Sequence, residues 1–96
     1  MIDIQLQEAE NLGRYTARVA DNADEAELTF SRPDAKTVIA DHTWVPPSLR
    51  GQGIAEALVK RLMDDARANG FRVVPRCSYV RKLAARHPEW DDLIQA

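Results

Sequence analysis

Residues 42–62 read HTWVPPSLRGQGIAEALVKRL. A strand-like run meets two prolines, then an arginine and two glycines, and then a change of period. Pro46 and Pro47 bring no backbone N–H, so a strand ladder stops there. From Ile54 onward, Ala55, Leu58, Val59, Leu62, Met63 and Ala66 fill one half of a helical wheel. Glu56, Lys60 and Asp64 take the other half at i,i+4 spacing, as does the Arg61–Asp65 pair. Asn69–Gly70 ends the helix, with glycine free to adopt a left-handed cap. A bare backbone at a helix start suits an anion. The first N–H groups have no intrahelical acceptor, the dipole makes that end positive, and glycine removes the Cβ that would hold a ligand off. Glycine loops also simply turn corners, and the fragment alone leaves both readings open.

Upstream, the chain alternates with period two. Ile2, Ile4 and Leu6 predict a half-buried strand, and Tyr15, Ala17 and Val19 a second, ending at Asp21–Asn22. Leu28 and Phe30 mark a third, closed by Arg32–Pro33–Asp34, and residues 37–45 are the longest β candidate. Downstream, residues 71–77 form a short strand that Pro75 interrupts or places at a free edge. Ser78 can cap a helix from about Tyr79 to Arg86, and Pro88 opens a last helical segment carrying Trp90, Leu93 and Ile94. The expected fold is α/β (α+β): a mixed sheet, antiparallel as a meander at first, then parallel through a right-handed strand–helix–strand crossover, with C-terminal helices.

The 96 residues are expected to form one domain, 1–96, with one modest core. Apolar content of 45% and charged content of 29% are those of an ordinary soluble chain. The net charge of −2 argues against a general nucleic-acid partner. That charge is divided: residues 1–45 hold nine acids and four bases, net −5, and residues 46–96 hold six acids and nine bases, net +3. An anionic ligand is drawn to the second half and a cationic one to the first. The lone Cys77 excludes an internal disulfide and offers no metal cluster. With no apolar run long enough for a membrane span and no secretory pattern at the N-terminus, no membrane partner is expected. A reducing cytoplasm is the expected setting.

Three phosphate motifs compete for the glycine loop. The P-loop needs Gly-Lys-Ser/Thr, but Gly53 is followed by Ile54-Ala55. The dinucleotide fingerprint needs a third glycine where Glu56 stands, and an acid where residues 71–74 read FRVV. The third motif fits. Arg50-x-x-Gly53-x-Ala55 resembles the R/Q-x-x-G-x-G/A loop of the GNAT superfamily of N-acetyltransferases, and the order of elements around it is that family's core. The likeness extends to a minimal branch covering essentially the whole chain. It rests on His42-Thr43-Trp44-Val45-Pro46 leading into Arg50-Gly51-Gln52-Gly53-Ile54-Ala55, and on Pro75-x-Cys77-x-Tyr79-Val80 before His87-Pro88-Glu89.

The resemblance implies that the loop amides from Arg50 to Ala55 hold the diphosphate of acetyl-CoA. It also implies that the pantetheine arm lies between the strand ending near Trp44–Val45 and the strand ending at Cys77. The implied reaction is acetyl transfer to an amine, a protein or peptide amine among the candidates. A backbone N–H near Trp44 or Val45 would polarise the thioester carbonyl. Cys77, favoured as thiolate by a helix N-terminus and by Arg76, is a nucleophile or base on one reading and a small buried apolar residue on the other. His42 is a base or a solvated strand histidine. Tyr79 protonates the leaving thiolate or packs in the core. Trp44 and Trp90 are expected to pack, and His87 to anchor a turn. Two features of larger members are missing. A glutamate base on the strand before the loop is absent, that strand carrying only Asp41 and His42, and Leu83–Ala84 stand where a tyrosine acid is often found. The segment 19–25 is also too short for the helices that wall the acceptor site in larger members, so an open site is expected. A CoA-binding module without catalysis and an interaction domain that kept only the fold are the alternative readings. The oligomeric state is not legible.

Overall fold

The computed structural model describes residues 2–95. Five strands, β1 (Ile2–Ala9), β2 (Leu12–Val19), β3 (Ala26–Asp34), β4 (Thr37–Trp44) and β5 (Arg72–Pro75), form one sheet in sequential order. The first four are antiparallel to their neighbours, and β5 runs parallel to β4. Helix α1 (Ile54–Asn69) makes the crossover between β4 and β5. Helix α2 (Ser78–Ala85) and a 3-10 helix at Pro88–Leu93 complete the architecture. The mixed sheet, the crossover and the C-terminal helices match the sequence reading.

The apolar stripe of α1 explains the layering. Ile54, Leu58, Val59, Leu62, Met63 and Ala66 are buried, and they pack in one cluster with the inward residues Tyr15, Ala17, Leu28, Phe30, Val38 and Ala40 of the sheet. Each large side chain so buried contributes about 1.5–3 kcal/mol relative to exposure. A polar clip fixes the helix angle: the Tyr15 hydroxyl donates to Asp65 at 2.8 Å, and Arg61 pairs with the same carboxylate at 3.2 Å. Burial first, and then Asp65, hold the Tyr15 phenol well above the ordinary tyrosine pKa. Gly70 ends α1 at φ 73°, its N–H bonded to Ala66 O at 2.9 Å, as the Asn69–Gly70 signal predicts. Among the described residues, the sheet's opposite face carries no helix. Ion pairs there include Arg14–Glu27 at 3.3 Å, between β2 and β3, and Arg18–Glu25 at 3.7 Å, from β2 to the residue before β3.

Several boundaries differ from the sequence reading. β1 and β2 are joined by a two-residue turn at 10–11, past the points where alternation fades, because the residues flanking that turn are mostly exposed and carry no burial signal. Pro33 lies inside β3, at an irregularity between Ser31 and Asp34 where no ladder donor is required. β5 is shorter than the predicted 71–77. Cys77 rather than Ser78 occupies the cap of α2, and no side chain caps that helix.

Candidate active site

The turn into α1 is built on two left-handed glycines, Gly51 at φ 78° and Gly53 at φ 73°. A Cβ at either would have nothing within 4 Å, so backbone conformation, and not crowding, calls for glycine here. Two side chains fold back and set the shape of the loop. Gln52 Nε2 donates to Ser48 O at 3.2 Å, and Arg50 Nε donates to Val45 O at 3.0 Å. No side chain caps α1, and its first protein-satisfied amide at this end is Ala57, bonded to Gly53 O at 3.0 Å. Among the described residues, the N–H groups of residues 51–56 meet no protein acceptor. The loop borders a cleft of about 250 Å³ lined by Val45, Arg50, Gly51, Gly53, Ile54 and Ala55, with Glu56 also in its wall.

Next to the loop the sheet splits. β4 and β5 pair from Thr37–Arg72 to Ala40–Pro75, and the Cys77 N–H adds a last bond to Ala40 O at 2.9 Å. Beyond this point β5 leaves, and β4 continues to Trp44 paired with β3 alone. A bulge marks the divergence: Phe30 pairs with Ala40 and Thr29 with His42, leaving Asp41 unopposed. The extra residue places both Asp41 and His42 on the helix-free face, whereas strict alternation would separate them.

Cys77 sits at the fork, half-buried, its sulfur 3.6 Å from Thr43 Oγ1. Burial pushes its thiol pKa up, but hydrogen bonds from the Val80 and Tyr79 amides, the Thr43 hydroxyl and the Thr43 amide outweigh it, and the net shift is downward. Arg76, expected to assist, instead turns its guanidinium toward Asp41, 3.9 Å away. The helix start and Thr43 supply the effect.

From the fork a groove of about 1050 Å³ crosses the helix-free face to the β1–β2 hairpin. Asp41, His42, Thr43, Cys77 and Tyr79 line its inner end, and Leu12 and Arg14 line its far end. Tyr79 belongs to both the groove and the loop cleft, and so joins them. Of the two readings of Tyr79, packing in the core is not met: the first turn of α2 leaves it 37% exposed at this junction. Burial of its ring, and then the nearby Glu56 charge, raise its pKa, so the phenol is protonated at neutral pH. His42 is exposed in the groove.

Trp44 is also misplaced by the sequence reading. It is 51% exposed and carries the Arg50 guanidinium 5.2 Å above its ring, because its pairing with the outward Glu27 turns it to the helix-free face, beyond the stretch where β5 flanks β4. Trp90, by contrast, packs as expected at 7% exposure, stacked on His87, whose Nδ1 lies 2.9 Å from Glu89. Neither Trp44 nor Gln52 lines the loop cleft. Sequence reasoning passed over Thr43 as a partner of the thiol and Asp41 as a groove residue. Both follow from an unannounced bulge. Leu83 and Ala84 are buried, so α2 presents no proton donor along its length at that point. Among the described residues, no group of three or more His, Cys, Asp or Glu is placed to hold a metal ion. No helix is long and apolar enough to cross a membrane.

Comparison with known proteins agrees with this fold. Residues 14–93 match the profile of the GCN5-related N-acetyl-transferase family. Protein NATD1 of Xenopus tropicalis is 32% identical over 75 residues, covering 78% of this chain and 69% of that one. NATD1 of Homo sapiens is 29% identical over 75 residues, covering 78% and 66%. The solution structure of a GCN5-like protein from Staphylococcus aureus superposes with a TM-score of 0.70 at 25% identity, covering 96% of this chain and 88% of that one. The crystal structure of ribosomal-protein-alanine N-acetyltransferase from Brucella melitensis biovar Abortus gives a TM-score of 0.72 at 20% identity, over 90% and 89%, and supports the fold alone.

Proposed function

The chain belongs to the GCN5-related N-acetyltransferases, and from that premise we propose that it binds acetyl-CoA at the α1 loop and transfers the acetyl group to an amine lying in the groove of the helix-free face. The observation that carries the reading is the run of unsatisfied amides at residues 51–56, beside a cleft that Tyr79 connects to the groove. Such amides at the positive end of a 16-residue helix suit a diphosphate. Arg50, Gly51, Gly53, Ile54 and Ala55 form the anion-facing wall. Gln52 and the stacked Arg50–Trp44 pair hold the loop's shape.

Acetyl-CoA supplies an activated acetyl group as a thioester. The Thr43 hydroxyl stands 3.6 Å from the Cys77 sulfur at the fork. We assign the thioester carbonyl to the amide of Val45, one residue beyond β4. Tyr79, protonated at neutral pH, gives its proton to the departing thiolate. We assign the first attack to Cys77, whose sulfur bonds to the carbonyl carbon as the carbon–sulfur bond to CoA breaks. The amine nitrogen then bonds to that carbon as the bond to the Cys77 sulfur breaks, and the amine's extra proton passes to His42 or to water in the groove.

Calorimetry with acetyl-CoA tests the binding step. Mass spectrometry of Cys77 peptides after exposure to acetyl-CoA without acceptor, with acetylation of an amine panel alongside, tests the transfer. Absence of acetyl-CoA binding overturns the proposal. Binding without acetylation of any amine reduces the protein to a CoA-binding module.

A further inference from the structure

We infer that Asn22, Asp24 and Ser48 are positioning residues for the cofactor: the loop between β2 and β3 clasps Ser48 and so holds the glycine turn at the start of α1 in the shape a diphosphate requires. The inference rests on the acetyltransferase reading above and adds three residues that stand outside the cleft and act through its wall.

The clasp is built from both sides of Ser48. Its hydroxyl donates to Asp24 Oδ2 at 2.6 Å and accepts from Asn22 Nδ2 at 3.3 Å. These partners are themselves fixed: Asn22 Oδ1 accepts from the Asp24 N–H at 2.8 Å, and the Asn22 N–H donates to Val19 O at 3.1 Å, at the end of β2. On the other side, the Ser48 carbonyl accepts from Gln52 Nε2 at 3.2 Å, and Gln52 lies between the two left-handed glycines. A continuous chain of bonds thus runs from the end of β2 through Ser48 into the glycine turn. The two hydroxyl bonds join residues 24 and 26 positions apart in sequence.

The turn has few restraints of its own. Glycine is the least restrained residue in a chain, and the amides of residues 51–56 meet no protein acceptor that would hold them. A loose turn is ordered only when the ligand arrives, at a cost in affinity. Upstream, the 3-10 turn Pro47–Leu49 is three residues long and buries one side chain, Leu49. Leu49 pins that turn to the core, and the exposed Ser48 beside it supplies the second fixed point that sets its rotation. The bond to Asp24 is charge-assisted and the shortest of the set. Because these bonds lie at the surface, water replaces most of what their loss removes, and they contribute little to overall stability. Their effect falls on local order, which separates a positioning role from a merely structural one.

The test compares the wild type with Ser48→Ala, Ser48→Thr and Asp24→Ala, each isotope-labelled. Amide relaxation without any ligand reads the order of the glycine turn, and calorimetry with acetyl-CoA reads the affinity. Ser48→Ala and Asp24→Ala are expected to loosen Gly51, Gln52 and Gly53 while leaving the body of α1 and Tm near the wild type. Acetyl-CoA Kd is expected to rise about three- to tenfold. In turnover the loss appears in KM for acetyl-CoA, with kcat within about twofold. Ser48→Thr keeps the hydroxyl and is expected to restore both order and affinity. A turn equally ordered without the hydroxyl overturns the inference, as does a loosened turn with unchanged affinity, or a threonine that restores neither. Should Ser48→Ala not fold, Asp24→Ala cuts the clasp from the other side and must show the same two effects. Failure of the wild type to bind acetyl-CoA overturns the cofactor reading instead, and the relaxation data alone then decide whether the clasp orders the turn.

Discussion

Helix α1 carries a left-handed glycine at each end, Gly53 at φ 73°, ψ 17° and Gly70 at φ 73°, ψ 33°. Neither would bring a new Cβ within 4 Å of any neighbour. Replacement by alanine therefore costs the same backbone strain at both, about 1–2 kcal/mol for an L-residue held in that region. For a domain of this size each kcal/mol lowers Tm by roughly 4–8 °C, so both variants should melt about 4–16 °C lower. Their effects on acetyl-CoA should diverge. At Gly53 the added methyl stands among the free amides of residues 51–56, and blocking one charge-assisted bond to a phosphate costs about 1.5–3 kcal/mol, or roughly 10- to 150-fold in Kd. At Gly70, the far end of a 16-residue helix of about 24 Å, no effect on binding is expected. Lost stability alone does not lower affinity while the variant is folded at the assay temperature, so the matched pair separates the two effects. Scanning calorimetry gives the stabilities, and isothermal titration with acetyl-CoA gives the affinities. An unchanged Kd in Gly53→Ala, or equal losses in both variants, would refute the diphosphate assignment.

Two further outcomes are expected. The Cys77 thiol should react with iodoacetamide along a pH profile whose midpoint lies below the ordinary thiol value, and acetyl-CoA should shield it; Cys77→Ala should abolish acetyl transfer while leaving acetyl-CoA affinity within about twofold. An ordinary pH profile with no shielding would return Cys77 to a packing role. Tyr15→Phe should lose about 0.5–1.5 kcal/mol in denaturant titration through the missing bond to Asp65. Because the folded-state pKa of Tyr15 is raised, its contribution is complete below the ordinary tyrosine value and fades as pH climbs beyond it, so the variant's stability should fall less steeply than the wild type's at alkaline pH.

The parts of this fold legible in the sequence are those whose burial repeats with a fixed period. The α1 stripe, the strands bearing Tyr15–Ala17 and Leu28–Phe30, and the glycine that stops α1 were readable because each apolar position reports one packed face. The turn at residues 10–11 was not, because Gln7, Ala9, Leu12 and Arg14 alternate nothing buried with nothing buried. The site was half legible. Gly51 and Gly53 announce themselves, since no other residue takes their backbone angles cheaply. The bulge at Asp41 has no glycine or proline to mark it, yet it turns Asp41 and His42 to one face and leaves Thr43 against the thiol. Trp44 was misjudged because the bulge sets its register opposite the outward Glu27, on the face that no helix covers, and β5 ends before reaching it.

The helix-free face has a consequence for how such a protein changes its substrate. In an enzyme whose acceptor site is walled by loops or helices, altering selectivity means reshaping backbone. Here the groove's floor is a hydrogen-bonded ladder whose shape is fixed by pairing, and its outward positions, Leu12, Arg14, Thr29 and His42, point away from the core. Each can be exchanged like a tile on a rigid frame with little effect on the buried cluster beneath. Under the proposed function, selectivity and stability fall on opposite faces of one sheet, which leaves this scaffold open to drift and to engineering in its choice of amine.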